Sequence, residues 1–237
     1  MFCPNCGTHL WPKRVKGVRT RAKGKEIEPV QLTREQINMD TLFEEFWRLE
    51  DFNCGEGIVF DDVTSWIMSR NKAYAVFREK FGRDKLIDWE KLHEDFRDFL
   101  YFKNNYSWTT LYRSGLKALD NLKRLWKLLT FIQDESIDIR TRVREGLVGK
   151  YYCMGIGPNI LTALLHTFYT NKYGVWNSRT LDTLNLIRRT PPPTSDPGKK
   201  YQLINNELLQ LTKELNTDLT TIDSFMWFIS KKIQIIQ

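Results

Sequence analysis

Apolar side chains recur at the three- and four-residue spacing of an α-helix along most of this chain. The clearest run of this kind is formed by Leu116, Leu119, Leu122, Leu125 and Leu129. Beyond the first 30 residues, no stretch shows the convincing two-residue alternation of a strand, and Gly and Pro are sparse, at 13 and 8 residues. The sequence therefore predicts an all-α fold, with helices near residues 61–81, 88–103, 108–133, 137–148, 158–170, 178–188, 201–215 and 220–233.

Local signals indicate the helix ends and the loops. Residues 33–36 (Thr-Arg-Glu-Gln) have the form of a capping box, which predicts a helix start before the apolar stripe that follows. Residues 52–57, which include Cys54, are rich in glycine and predict a turn between helices. Residues 189–200 contain three consecutive prolines and a Pro-Gly pair, which predict a surface loop.

Composition and charge favour one helical domain with an N-terminal appendage. Hydrophobic residues make up 41% of the 237, which is enough for a buried core and excludes a disordered chain. Residues 1–25 hold seven basic residues and no acidic one, whereas the rest of the chain holds 29 of each. We expect a zinc-knuckle-like segment and basic arm at residues 1–30 and a helical domain at 31–237. Such an arm suits a polyanion, and a solvated leader is the alternative.

Cysteine usage and hydropathy bear on location. The four cysteines show no spacing typical of a disulfide framework. The first residues lack the apolar segment of a signal peptide, and no apolar run reaches the length of about 18 residues that suggests a membrane span. We therefore expect an intracellular protein of the cytoplasm or nucleoid, without a membrane partner.

One short segment, Gly155-Ile156-Gly157-Pro158, interrupts the helical pattern. We expect a helix to end near Gly149 and another to begin at Pro158, because proline lacks the N–H that a first helical position leaves unpaired. The two glycines let the backbone turn tightly and place no side chain between it and a ligand. Backbone N–H groups would then face an anion at the positive end of the helix dipole.

This pattern of hydrophobe, Gly, hydrophobe and Gly before an apolar Thr-Ala helix resembles the helix-hairpin-helix motif of the DNA glycosylase superfamily. The resemblance covers roughly residues 137–230. It implies a multi-helix, glycosylase-like domain with the helix-hairpin-helix at 139–170 and double-stranded DNA as the partner.

The same resemblance bears on catalysis. Catalytic members of the superfamily have a Schiff-base lysine and an aspartate where this chain has Asn159 and Asn177. An amide cannot form a Schiff base, and it stabilises a developing cation poorly. We therefore expect a binding protein rather than an enzyme.

Several residues around the hairpin have two interpretations. Asn177 precedes Ser-Arg-Thr-Leu-Asp, which predicts a helix N-cap rather than a catalytic role. Arg179 is expected either to contact a phosphate or to pair with Asp182. Four flanking cations either contact phosphates or form the solvated face of one helix: Arg140, Arg142, Arg144 and Lys150. The predicted DNA-binding residues are Gly155, Gly157, Asn159, Lys150, Arg144 and Arg179.

The N-terminal Cys3-Pro4-Asn5-Cys6-Gly7 resembles the first half of a zinc ribbon, such as that of archaeal transcription factors. A structural zinc needs four ligands, and no second Cys-x-x-Cys follows. Zinc is therefore the one cofactor expected, with Cys3 and Cys6 as ligands. A two-chain site, completion by Cys54 and a degenerate ribbon stay open, and the candidate further ligands are His9, Cys54, His93, Cys153 and His166.

The leading prediction is non-sequence-specific binding of DNA through a hairpin phosphate clamp, in DNA repair or defence. Two alternatives belong to other classes. The first is a base-excision enzyme that uses Asp182 as its carboxylate. The second is a protein-interaction module of a restriction or transcription complex, in which the zinc-ribbon-like start and residues 33–135, which resemble no known family, would bind protein. The Val-Trp-Asn-Ser-Arg run at 175–179 is loosely similar to segments of restriction-type defence proteins.

Overall fold

A computed structural model describes residues 18–20, 24–55, 58–83, 88–101 and 115–235. The described chain is mostly helical, as the apolar periodicity predicts, with short 3₁₀ helices at Arg34–Gln36 and Leu116–Asn121. The α-helices are α1 (Met39–Trp47), α2 (Val63–Phe81), α3 (Trp89–Tyr101), α4 (Leu122–Ile132), α5 (Ile139–Leu147), α6 (Pro158–Phe168), α7 (Ser178–Leu186), α8 (Pro197–Glu214) and α9 (Leu219–Lys232).

Short strands correct the all-α prediction. Strands β1 (Val18–Thr20), β3 (Glu50–Gly55) and β4 (Ile58–Asp62) form an antiparallel sheet in the order β1-β4-β3. The predicted turn at residues 52–57 is wrong, since its described part lies in β3, where Phe52 pairs with Phe60 and both are buried. A two-stranded parallel sheet joins β2 (Val30–Leu32) to β5 (Ile233–Ile235).

The described part of the predicted basic arm contacts the helical domain. Strand β1 pairs with β4, and Lys25 exchanges backbone hydrogen bonds with the β3 residues Asp51 (2.6 Å) and Asn53 (3.2 Å). Residues 1–17 and 21–23, which carry the rest of the arm, lie outside the described residues.

The predicted loop at 189–200 ends earlier than expected. Helix α8 begins at Pro197, and the Asp196 carboxylate caps it by accepting from the N–H groups of Gly198 (2.8 Å) and Lys199 (3.2 Å). The Pro-Gly pair therefore starts a helix, because proline fits a first helical position and the preceding aspartate satisfies the free amides.

The core is organised around helix α6, whose residues 160–168 are all buried. Such a helix has no solvated face, so its polar side chains need partners inside the protein. Thr162 donates to the Pro158 carbonyl at 2.8 Å, and Thr167 to the Ala163 carbonyl at 2.8 Å. At the other end, the Arg78 guanidinium donates to the Thr167 carbonyl at 2.7 Å. This hydrogen bond satisfies a carbonyl group at the C terminus of α6.

A second buried cluster contains residues of α1, α2, α9 and the strands β3 and β4. Seven of its eleven buried residues are aromatic. Neighbouring rings among Phe46, Phe52, Trp66, Phe225 and Trp227 have centroids 5.0–6.5 Å apart. Helix α9 contacts both clusters, because Ile222 and Met226 pack with α6 and its neighbours whereas Phe225 and Trp227 pack here.

One buried ion pair joins α2 to α9. The guanidinium of Arg70 lies 2.5 Å from the Asp223 carboxylate, 2.8 Å from the Tyr74 hydroxyl and 2.5 Å from the Ser224 hydroxyl. The Arg70 side chain is 2% exposed, so water cannot replace a lost partner. Removing one member of a buried pair leaves the other charged and desolvated.

We therefore predict that Asp223→Asn lowers the free energy of unfolding by about 3 kcal/mol. The matched control is Glu44→Gln, which breaks the pair between Glu44 and Arg48, whose side chains are 67% and 75% exposed. That change should cost less than about 1 kcal/mol. Urea unfolding at neutral pH measures both values, and equal losses in the two variants would contradict the buried role of the Arg70 pair.

Candidate nucleic-acid interface

Helices α5 and α6 are joined by a hairpin of ten residues, 148–157. The helix ends agree with the prediction of one helix ending near Gly149 and the next beginning at Pro158. Two consecutive tight turns build the hairpin, closed by hydrogen bonds from Tyr152 N to Gly149 O (3.1 Å) and from Ile156 N to Cys153 O (3.0 Å). Hereafter, "the hairpin" means residues 148–157.

Close packing of α5 against α6 supports the hairpin. A Cβ atom added to Gly146 would lie 2.6 Å from Cδ1 of Leu161 and 3.1 Å from Cδ1 of Leu128. A larger residue at this position would require the Leu161 and Leu128 side chains to move. Gly146 therefore suits the close packing of α5 on α6.

The second turn of the hairpin opens towards solvent. Gly155 has a φ of 87°, in the left-handed region that favours glycine. Gly157 is the N-cap of α6, and a Cβ atom added there would meet nothing within 4 Å. Pro158 and Asn159 are exposed, whereas Ile156 between the glycines is buried and anchors the turn.

Three backbone amides of this turn lack an acceptor. Within the part of the chain that the structure describes, the N–H groups of Gly155, Gly157 and Asn159 form no hydrogen bond to protein. Unpaired amides at a helix start bear partial positive charge and bind anions. The geometry therefore provides what a phosphate oxygen needs: donors, space and the positive end of a buried helix.

Contacts with α4 and α5 hold the first turn of the hairpin in place. The Tyr151 ring stacks on Phe131 of α4, with centroids 3.8 Å apart and planes 7° apart. The Arg124 guanidinium donates from Nε to the Tyr152 carbonyl at 2.6 Å, and Glu145 accepts from the Lys150 amide at 3.1 Å. A loop fixed in this way loses little conformational freedom when it binds a ligand.

The predicted flanking cations have different environments. Lys150 is exposed and forms no ion pair among the described residues, with its ammonium 5.5 Å from the Tyr151 ring centroid. Arg144 is exposed but lies 3.3 Å from the carboxylate of Glu145, which offsets part of its charge. Arg140 pairs with Asp196 at 3.4 Å, beside the start of α8.

The prediction that all four flanking cations contact phosphates or face solvent is wrong for Arg142. Its side chain is buried and donates to the Ile132 carbonyl at 2.8 Å and to the Tyr173 hydroxyl at 2.5 Å. Neither a phosphate contact nor a solvated face is possible there. The burial has a physical reason, since Arg142 joins the end of α4 to the loop that leads into α7.

That loop brings the start of α7 close to the first turn of α6. The Trp176 amide donates to Oγ1 of Thr162 at 2.9 Å, and Asn177 follows as the N-cap of α7, accepting from the Thr180 amide at 2.9 Å. The predicted N-cap is confirmed. Asn159, the other asparagine at an expected catalytic position, is exposed on α6.

Arg179 and Asp182 lie exposed on α7. The predicted pairing between them is absent: among the described residues, Arg179 has no carboxylate within ion-pair distance. The other role predicted for Arg179, contact with a phosphate, therefore stays a prediction.

Two further cations, one at the hairpin and one at the loop before α7, are missed by sequence reasoning. Arg124 reaches the hairpin from α4, and Lys200 lies in α8 with its ammonium 5.3 Å from the Trp176 ring centroid. Only the fold brings them here, because each is more than twenty residues from its partner. The distribution of charge along the sequence does indicate a basic surface in this part of the chain. Residues 139–200 hold ten basic and three acidic residues, whereas residues 26–138 hold 16 basic and 22 acidic residues.

The zinc prediction falls mostly outside the described residues, since Cys3, Cys6 and His9 lie in 1–17, while Cys54 lies in β3. Of the other candidates, Cys153 is buried, and burial raises the pKa of its thiol to about 11, which opposes the thiolate that zinc requires. Over the described ranges, no group of three or more His, Cys, Asp or Glu side chains could hold a metal. Zinc at the knuckle stays a prediction.

His166 is engaged inside the protein. Its Nδ1 donates to the Tyr173 carbonyl at 2.8 Å, so Nε2 is the acceptor for the Thr220 hydroxyl at 3.3 Å. Both ring nitrogens are used, which leaves none for a metal. Burial, with the nearby charge of Arg70, lowers the pKa of His166 to about 4.

Comparison with known proteins adds no assignment. No family model, curated protein or solved structure matches the chain. Among the described residues, no helix is both long and apolar enough to cross a bilayer.

The His166 environment gives a pH prediction. An unfolded histidine binds a proton near pH 6.5, whereas folded His166 resists protonation down to about pH 4. Between these values the unfolded state binds more protons, so stability falls as the pH falls. Between about pH 7 and pH 5, His166 should contribute about 2 kcal/mol of the lost free energy of unfolding.

Urea unfolding at both pH values checks this. His166→Asn, which retains a donor for the Tyr173 carbonyl, should lose about 2 kcal/mol less on acidification than the native chain. His93→Gln is the control, because His93 is exposed on α3. Identical pH dependence in the native chain and His166→Asn would contradict the buried, neutral state of His166.

Proposed function

We propose that this protein binds nucleic acid, with double-stranded DNA as the leading target, through a phosphate clamp at the hairpin. The observation that carries the proposal is the open turn at Gly155–Asn159, with its three unpartnered amides at the start of a buried helix. Amides that are fixed before binding need no rearrangement to accept a phosphate oxygen.

The charges around the turn support an anionic polymer rather than a single small anion. Lys150 and Arg124 lie at the hairpin, Lys200 lies over the Trp176 ring, and Arg179 is exposed in the first turn of α7. None of them forms an ion pair with the described residues. Cations on several sides of an amide site can contact successive phosphates, and each contact releases a condensed counterion. Affinity should therefore fall steeply as the salt concentration rises.

Little in this surface suggests sequence recognition. The turn contacts its ligand through backbone amides, which hydrogen-bond phosphates and carry no base-specific pattern. Ile156, the side chain between the two glycines, is buried and cannot reach a base edge. The proposal is accordingly non-sequence-specific binding, in DNA repair or defence.

The base-excision alternative has weaker support. Its carboxylate, Asp182, is exposed on α7, so bulk water would have to be excluded by the substrate alone. Asn177 is occupied as an N-cap. We therefore propose no catalytic step.

The sharpest test is Gly157→Asp. Gly157 has extended backbone angles (φ −89°, ψ −175°), which any residue adopts, and open space for a side chain. An N-cap aspartate accepts from the second and third helical amides, those of Asn159 and Ile160. It would therefore occupy the Asn159 amide, one of the three donors offered to a phosphate, and its negative charge would repel the phosphate. We predict a loss of at least about tenfold in affinity for duplex DNA, with a fold as stable as the native one.

Fluorescence anisotropy with labelled duplex DNA, single-stranded DNA and duplex RNA, at two salt concentrations, measures this effect. Thr41→Asp is the matched control, since it adds the same charge at an exposed position in the first turn of α1. It should change affinity less than about twofold, through long-range charge alone. Equal losses in the two variants, or unchanged affinity in Gly157→Asp, would refute the clamp.

A further inference from the structure

The hairpin carries an unusual share of the exposed apolar surface. Among the described residues, seven large hydrophobic side chains are exposed. Three of these seven lie in the hairpin itself, within the segment 148–154. These three are Val148, Tyr152 and Met154, with exposed fractions of 70%, 43% and 58%. Single exposed hydrophobic residues are ordinary, but a cluster marks an interaction surface.

The three residues lie in or directly before the two consecutive turns of the hairpin. Tyr152 closes the turn that starts at Gly149, directly after Val148, and Met154 lies inside the next turn. The turn is rigid, because Tyr151 is stacked on Phe131 and the Tyr152 carbonyl is held by Arg124. We call Val148, Tyr152 and Met154 the apolar tip.

The position of the apolar tip indicates its ligand. The tip borders the amide turn at Gly155–Asn159 and is flanked by the cations Lys150 and Arg124. A surface that combines cations with an exposed aromatic ring matches a strand of nucleic acid, whose backbone is anionic and whose bases have apolar faces.

In an intact duplex, stacking hides the apolar faces of the bases. They become accessible at gaps, mismatches and junctions between single and double strands. We propose that the hairpin binds unstacked bases at such discontinuities, with the Tyr152 ring on a base and the amide turn on the adjoining phosphate. This inference rests on the proposed function and names its preferred substrate class.

The test compares a gapped duplex with an intact duplex of the same sequence, both by fluorescence anisotropy. The native chain should bind the gapped duplex at least about fivefold more tightly, the lower end of what one stacked base contributes. Tyr152→Ala should abolish that preference and change affinity for the intact duplex less than about twofold. Tyr152→Phe should keep the preference, since the ring is retained.

Trp89→Ala is the matched control, because Trp89 is an aromatic residue of α3 that is 45% exposed, and its loss should leave the preference unchanged. Binding without a preference for the gap, or equal weakening of both complexes by Tyr152→Ala, would overturn this inference and leave the clamp standing. The first result is also the one expected if the apolar tip serves a protein partner. Absence of binding to either duplex would overturn the clamp itself.

Discussion

The structure depends on the burial of helix α6. Every residue from Ile160 to Phe168 is buried, so neighbouring parts of the protein must cover the helix on all sides and satisfy its polar groups. Its C-terminal end is closed by the Arg78 guanidinium on the Thr167 carbonyl. Its N-terminal end at Pro158 is exposed. The helix therefore directs its positive end outward, at the hairpin.

The same burial explains how distant segments reach one surface. Thr162 fixes the Trp176 amide and His166 fixes the Tyr173 carbonyl, so the loop before α7 must follow α6 towards the hairpin. Trp176, and with it the start of α7 at Asn177, lies beside the first turn of α6 for this reason. Gly146 suits the close packing of α5 on α6. Rigid packing under an exposed turn is the arrangement in which backbone amides bind an anion without prior reorganisation.

The parts of the fold that local residue patterns determine could be predicted from the sequence. The bounds of α6, the glycine turn before it and the Asn177 cap follow from periodicity, from proline at a first helical position and from capping chemistry. The strand pair around Phe52 and Phe60 was missed, because strands of five or six residues give too short an alternation and their pairing depends on tertiary contacts.

The composition of the candidate site was less predictable. Arg142 and Lys150 are similar cations in sequence, yet one is buried under Tyr173 and the other is exposed. Arg124 and Lys200 come from helices that no sequence window connects to the hairpin. Backbone amides carry no residue signature at all, and glycine spacing indicates only where they can be exposed.

The proposed clamp requires the amides at the start of α6 to hold a phosphate group, and backbone amide NMR observes these donors themselves. In a titration of the ¹⁵N-labelled chain with duplex DNA, the account predicts that the amide signals of Gly155, Gly157 and Asn159 shift most, saturate together and return when salt is added. Binding that leaves these three signals in place while others shift would contradict the account.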